Sequence, residues 1–147
     1  MPRKEMTARV EAAMRNPHVS CLSHPTGRMI GRRPENAVDL ERVYAIALEE
    51  GVALEVNGLA PRLDLSGVHV RDAIAAGVAI EVNGLAPRLD LSGEHVREAL
   101  LAGVRIVCST DAHSVRGLAN MPLAVHTARR GGATRADVLN AGPLRER

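Results

Sequence analysis

Two stretches of alternating apolar and polar side chains, Val52 to Asn57 and Val78 to Asn83, are each followed by a segment whose apolar positions recur at helical spacing. The first pattern is that of a strand with one buried face, the second that of an amphipathic helix. Asn-Gly closes each strand, Ser66 and Ser92 stand at N-cap positions, and Gly77 and Gly103 stop the helices. A further strand-like run, G-V-R-I-V-C-S-T, begins at Gly103. Upstream, Lys4 to Arg15 and Val38 to Glu50 have helical periodicity, with Asn16-Pro17 and Gly51 as their stops and His18 to Ser23 as a strand between them. Downstream, helical patterns cover Leu123 to Arg130 and resume at Thr134, where Thr134 and Asp137 make a capping-box-like start. Strands alternating with helices predict an α/β fold on a parallel sheet, open or rolled into part of a barrel.

The alternation contains a repeat. Residues 51–76 match residues 77–102 except at five places, Leu54/Ile80, Val68/Glu94, Asp72/Glu98, Ile74/Leu100 and Ala75/Leu101. Near-identity over this length points to a tandem duplication within one fold rather than an old solenoid. Extruding one copy would expose an apolar face of Val52, Leu54 and Val56, and each fully buried aliphatic side chain contributes roughly 1.5–3 kcal/mol. Both copies are therefore expected in one parallel sheet of four consecutive strands.

Composition narrows the class. A chain of 147 residues, 46% hydrophobic and 24% charged, suits one globular domain. No apolar run approaches the roughly 20 residues that cross a bilayer, and the N-terminus has no signal-peptide pattern, so a cytoplasmic protein without membrane contact is expected. A net charge of +2 provides no global field for a polyanion, and the single aromatic, Tyr44, offers no stacking platform for single-stranded nucleic acid. Lys4 is the one lysine among 19 cationic side chains, a bias that genome composition explains as readily as phosphate binding does. Cys21 and Cys108 lie in apolar runs and read as small buried hydrophobes without a disulfide, and the absence of C-x-x-C excludes a cysteine-based zinc knuckle.

Two polar clusters follow strands at their C-terminal ends, where β/α folds place their chemistry. One is His24-Pro25-Thr26-Gly27-Arg28, continuing to Gly31-Arg32-Arg33; the other is Asp111-Ala112-His113-Ser114. Asp-x-His after a strand aims a carboxylate and an imidazole at one cation, a donor pair suited to zinc, manganese or iron. The competing reading makes Asp111 a turn or cap residue and leaves His113 in solvent. Glu55 and Glu81 alternate with apolar neighbours and so face away from them, placed to support a ligand from behind or to pair with Arg62 or Arg88. His18, His69, His95 and His126 read as exposed or partly packed side chains.

The strings S-H-P-T-G-R-M-I-G-R-R, A-L-E-V-N-G-x-x-P-R-L-D-L, S-T-D-A-H-S and N-M-P-L-A-V-x-T-A-R-R-G occur in this order. Together they resemble the C-terminal part of the PHP (polymerase and histidinol phosphatase) domain, and within it the PHP module of bacterial family X DNA polymerases, over Arg9 to Asn140. The resemblance implies part of a distorted, TIM-like (βα)7 barrel and a metal-dependent phosphoesterase, similar to a 3′–5′ exonuclease, that acts on DNA 3′ ends with manganese or zinc. It implies metal ligation by His24, Asp111 and His113 and a phosphate-holding role for Arg28, Arg32 and Arg33. The family's upstream H-x-H, T-D-H, G-x-E and V-H-S motifs do not occur in this chain. The expectation is thus a partial PHP domain over residues 1–147 that lacks most ligands and has little activity alone, with an N-terminal half or a second copy of the chain as possible partner. The alternatives are a noncatalytic remnant that folds or oligomerises without turnover and a histidinol-phosphatase-like small-molecule phosphatase. A repeat inserted in the sheet moves the strands bearing His24 and Asp111 one place further apart, about 4.8 Å, too far to share one metal.

Overall fold

The computed structural model describes residues 1–86 and 90–142. Its four strands, β1 (Cys21–Leu22), β2 (Ala53–Leu54), β3 (Ile80–Asn83) and β4 (Ile106–Ser109), form one parallel sheet in the order β1-β2-β3-β4. The helices are α1 (Arg3–Met14), α2 (Leu40–Glu50), α3 (Gly67–Ala75), α4 (Gly93–Leu101) and α5 (Met121–Arg130). The α/β class and the entry of both repeats into one sheet agree with the sequence pattern. Among the described residues no helix is long and apolar enough to cross a membrane.

Alternation along the strands builds the core. Val52, Leu54 and Val56, then Val78, Ile80 and Val82, then Val104, Ile106 and Cys108, are buried in one cluster with Ile46 of α2, Val70 and Ala73 of α3, Val96 and Ala99 of α4, and Ala124 and Ala128 of α5. The helices begin and end where local chemistry dictates. Ser66 Oγ accepts from the His69 N–H and Ser92 Oγ from the His95 N–H, each at 3.3 Å, satisfying N–H groups that a first helical turn leaves unpaired. Gly77 and Gly103 follow the last turns with φ of +83° and +75°, which only glycine adopts without strain. Helix α2 starts at Leu40 rather than Val38 because Asp39 is its cap, accepting from the Arg42 N–H at 3.3 Å.

Three further details depart from the sequence pattern. Strand β2 is shorter than Val52–Asn57: it pairs with β3 only at Leu54, and Asn57 turns instead to a backbone bridge with Asp64 in its own loop. Strand β1 likewise contracts to Cys21–Leu22. After Thr134, the capping box forms but opens a 3-10 turn, Arg135–Asp137, in place of a longer helix. That segment covers the β4 edge: Asn140 Oδ1 accepts from the Cys108 N–H at 3.1 Å and Asn140 Nδ2 donates to the Cys108 carbonyl at 2.7 Å, a side chain standing in for a neighbouring strand.

Helix α1 buries little beyond Thr7 and Met14. It is tied to α2 by polar groups, with Thr7 Oγ1 accepting from the Asp39 N–H at 3.0 Å and Glu11 receiving Arg42 at 2.6 Å and Arg15 at 3.1 Å. The Arg42 and Arg15 guanidiniums hold the Glu11 carboxyl below the usual carboxylate range.

Urea unfolding should show Ser66→Ala less stable by about 1 kcal/mol through loss of the cap. Ile80→Ala, at a fully buried position of the central strand, should cost about 2–5 kcal/mol. Equal midpoints for the two variants would contradict this account of the core.

Candidate functional site

His24 and Asp111 are the residues at which the chain turns away from β1 and β4. Both have left-handed backbones, with φ of +51° and +47°. That conformation costs a residue bearing a side chain roughly 1–2 kcal/mol, and such strain collects at functional positions. Leu63, at φ +44°, is the other non-glycine residue of this kind among those described.

The His24 turn is held from below by β2. Glu55 is 3% exposed, and its Oε2 accepts from the His24 N–H at 2.6 Å while lying 2.9 Å from the ring Nδ1. Asn57 Nδ2 is 3.4 Å from the same Nδ1 and donates to Glu55 Oε1 at 3.4 Å. One carboxylate thus fixes both the backbone and the ring of His24. The turn is tied again where the Thr26 N–H donates to Asp64 Oδ1 at 3.2 Å. Of the two roles expected for Glu55, support of a neighbouring residue or pairing with Arg62 or Arg88, the described contact is the one to His24, from the residue that follows β2; Arg88 lies outside the described residues.

Arg28, Arg32 and Arg33 line one shallow depression of about 380 Å³. Two of them also brace the loop, Arg28 Nε donating to the Arg62 carbonyl at 3.0 Å and Arg33 Nε to the Gly27 carbonyl at 2.8 Å. Arg28 further pairs with Glu35 at 3.4 Å.

On the far side of the sheet, His113 is exposed, with its Nδ1 2.7 Å from the Asp111 carbonyl oxygen, so the residues of Asp-x-His share one short turn. The structure does not bring this pair to His24. Their strands are opposite edges of the sheet, three inter-strand steps or about 14 Å apart. Among the described residues no three His, Cys, Asp or Glu side chains gather as a group able to hold a metal ion. His18 and His126 are exposed and His69 and His95 half-buried. A larger cavity of about 610 Å³, between β4, α5 and the segment after Thr134, is lined by none of the candidate ligands.

Both cysteines are free thiols. Burial, reinforced by the nearby Glu81 and Glu55 carboxylates, pushes the Cys21 thiol up to about 12; burial also raises Cys108. Neither is a thiolate nucleophile or a ready metal ligand near neutral pH.

Sequence reasoning did not single out Asn57, Asp64 or Ser109 as parts of the site. The available signal for Asn57 and Asp64 was the exact repetition of Glu-x-Asn and of R-L-D-L in both repeats, while apolar and surface positions elsewhere in the repeat differ.

The chain is 32% identical to the DNA polymerase/3′-5′ exonuclease PolX of Bacillus subtilis (strain 168) over 145 residues, 99% of this chain and 21% of that protein. It is homologous to a stretch of PolX. The chain spans about a fifth of the length of PolX, and no protein-family model matches it.

His24→Gly should be more stable than His24→Ala by about 1 kcal/mol in thermal unfolding, because glycine relieves the left-handed backbone. A disulfide reagent at pH 8 should label neither Cys21 nor Cys108 at the rate of the urea-unfolded chain; labelling accelerates as pH rises toward the raised thiol values, and fast labelling of the native chain at pH 8 would refute the assignment of Cys21.

Proposed function

We propose that the chain is a cytoplasmic PHP-type metal-dependent phosphoesterase module, related to the 3′–5′ exonuclease function named for PolX and acting on DNA ends. The observation that carries this reading is the match to PolX over 99% of the chain. Supporting it, a histidine and an Asp-x-His pair stand at strand C-termini on strained turns.

The donors fit a divalent metal in kind. His24 has its Nδ1 against Glu55 and His113 has its Nδ1 against the Asp111 carbonyl, which leaves Nε2 of each ring for a ligand. They do not fit a complete site in number or arrangement, since no group of three converges among the described residues. Manganese or zinc, when bound at such a site, activates water and clamps phosphate oxygens. This chain's own contribution is to orient His24 through Glu55, to present Asp111 with His113, and to offer Arg28, Arg32 and Arg33 to the phosphate backbone. Hydrolysis in this reading needs further donors, from an N-terminal PHP half or from a second copy of the chain.

The opposite-edge placement of His24 and Asp111 favours a second reading, a noncatalytic module that folds and binds metal weakly without turnover. The two readings part on what restores activity.

Calorimetry should detect weak manganese or zinc binding by the full chain, lost in the Asp111→Ala, His113→Ala double variant; an unchanged isotherm in that variant refutes ligation there. Deleting residues 77–102 removes one strand between β1 and β4 and should tighten manganese binding. Equal or weaker affinity in a folded deletion variant would show that strand separation is not what weakens the site. The isolated monomer should leave a 3′-labelled DNA end intact. Nuclease activity appearing on addition of a chain carrying the missing motifs supports the enzymatic reading, and its failure to appear supports the noncatalytic one.

A further inference from the structure

The two repeats have the same Glu-x-Asn sequence, yet the side chains engage opposite neighbours. In the first, Glu55 turns back toward β1 and holds His24, while Asn57 Nδ2 donates to Glu55 Oε1. In the second, Glu81 and Asn83 turn forward toward β4: Ser109 Oγ donates to Glu81 Oε1, and Asn83 Nδ2 donates to Ser109 Oγ at 3.3 Å and to Glu81 Oε1 at 3.4 Å. Ser109 is the last residue of β4, two before Asp111. Glu55, Asn57, Glu81 and Asn83 are all buried, at 3%, 2%, 7% and 1% exposure, so these are fixed contacts of the interior rather than surface encounters. Sequence does not distinguish the two units here; position in the sheet does. Strand β2 has the His24 turn beside it, and β3 has the end of β4 beside it.

We infer that Glu55 and Glu81 are positioning residues that divide one task between the repeats. Glu55 sets the proton of the neutral His24 ring on Nδ1, so that Nε2 is the nitrogen presented outward, and Glu81, through Ser109, fixes the point from which Asp111 leaves β4. A carboxylate oxygen 2.9 Å from Nδ1 accepts a proton there and offers nothing to a bare lone pair. The same oxygen takes the His24 backbone N–H, which locks the ring to the strained turn that carries it. In the second repeat the carboxylate acts one residue removed, through a hydroxyl that both donates to Glu81 and accepts from Asn83. The consequence for metal binding rests on the reading of His24 and Asp111 as ligands; the positioning itself does not.

The test is two-bond proton–nitrogen correlation on the full, nitrogen-15-labelled chain in metal-free alkaline buffer, with Glu55→Ala and Glu81→Ala as paired variants at equivalent positions. The wild-type spectrum should show His24 as the Nδ1–H tautomer, with Glu55→Ala moving it to the Nε2–H form and leaving the Ser109 and Asp111 amides in place. Glu81→Ala should leave His24 as Nδ1–H and shift the Ser109 and Asp111 amides. An Nε2–H tautomer in the wild-type chain overturns the inference, and this arm needs no variant to fold. A Glu81→Ala chain in which His24 changes as it does in Glu55→Ala also overturns it, because the effect would then be general loosening of the sheet. Manganese affinity is measured separately, and Glu55→Ala should weaken it by about 10–100-fold. A wild-type chain with the Nδ1–H tautomer and no manganese binding sinks the metal reading and leaves the positioning role standing.

Discussion

Val52, Leu54 and Val56, with Val78, Ile80, Val82, Val104, Ile106 and Cys108, form a single apolar face across β2, β3 and β4 that the helices cover. Burial of each aliphatic side chain contributes roughly 1.5–3 kcal/mol, and the strand period of two then leaves no choice for the residues between them. Glu55, Asn57, Glu81, Asn83 and Ser109 must lie on the opposite face. The site exists because the core is satisfied first: a one-residue slip in any strand would put the carboxylates under the helices and the valines where the glutamates are.

That constraint also explains why the second repeat was kept in the sheet. Its apolar row is as complete as that of the first, and it found a place between β2 and β4 with its own covering helix, α4. Strands β1 and β4 become opposite edges, about 14 Å apart at normal strand spacing, and among the described residues no group of three His, Cys, Asp or Glu gathers that could hold a metal ion. Apolar burial is distributed over many side chains and tolerates an inserted unit; convergent ligation depends on a few distances and does not.

Polar groups do the finishing where burial is thin. Helix α1, with Thr7 and Met14 as its buried side chains, is joined to α2 through Thr7, Glu11, Arg15 and Arg42. Asn140 closes part of the β4 edge by serving both backbone groups of Cys108. Exposed ion pairs such as Glu11 with Arg42 contribute modestly, so this corner of the fold depends on α2 being in place already.

Much of the architecture was legible in the sequence, because it follows from local and periodic signals: Ser66 and Ser92 as caps, Gly77 and Gly103 as stops, period-two runs as strands, and a repeat whose apolar face required a place in the sheet. The homology to a stretch of PolX was legible for the same reason, being carried by contiguous strings. What the tertiary structure decided are relations between strands. Glu55 and Glu81 are the same residue in the same local sequence, and only the neighbour beside each strand determined that one grips a histidine and the other a serine. The contraction of β2 to Ala53–Leu54 is likewise a relation between strands, since the equivalent β3 runs on to Asn83 where β4 pairs with it. Periodicity fixes which face a side chain takes; which partner waits on that face is set by the order of strands, a property no single stretch of the chain contains.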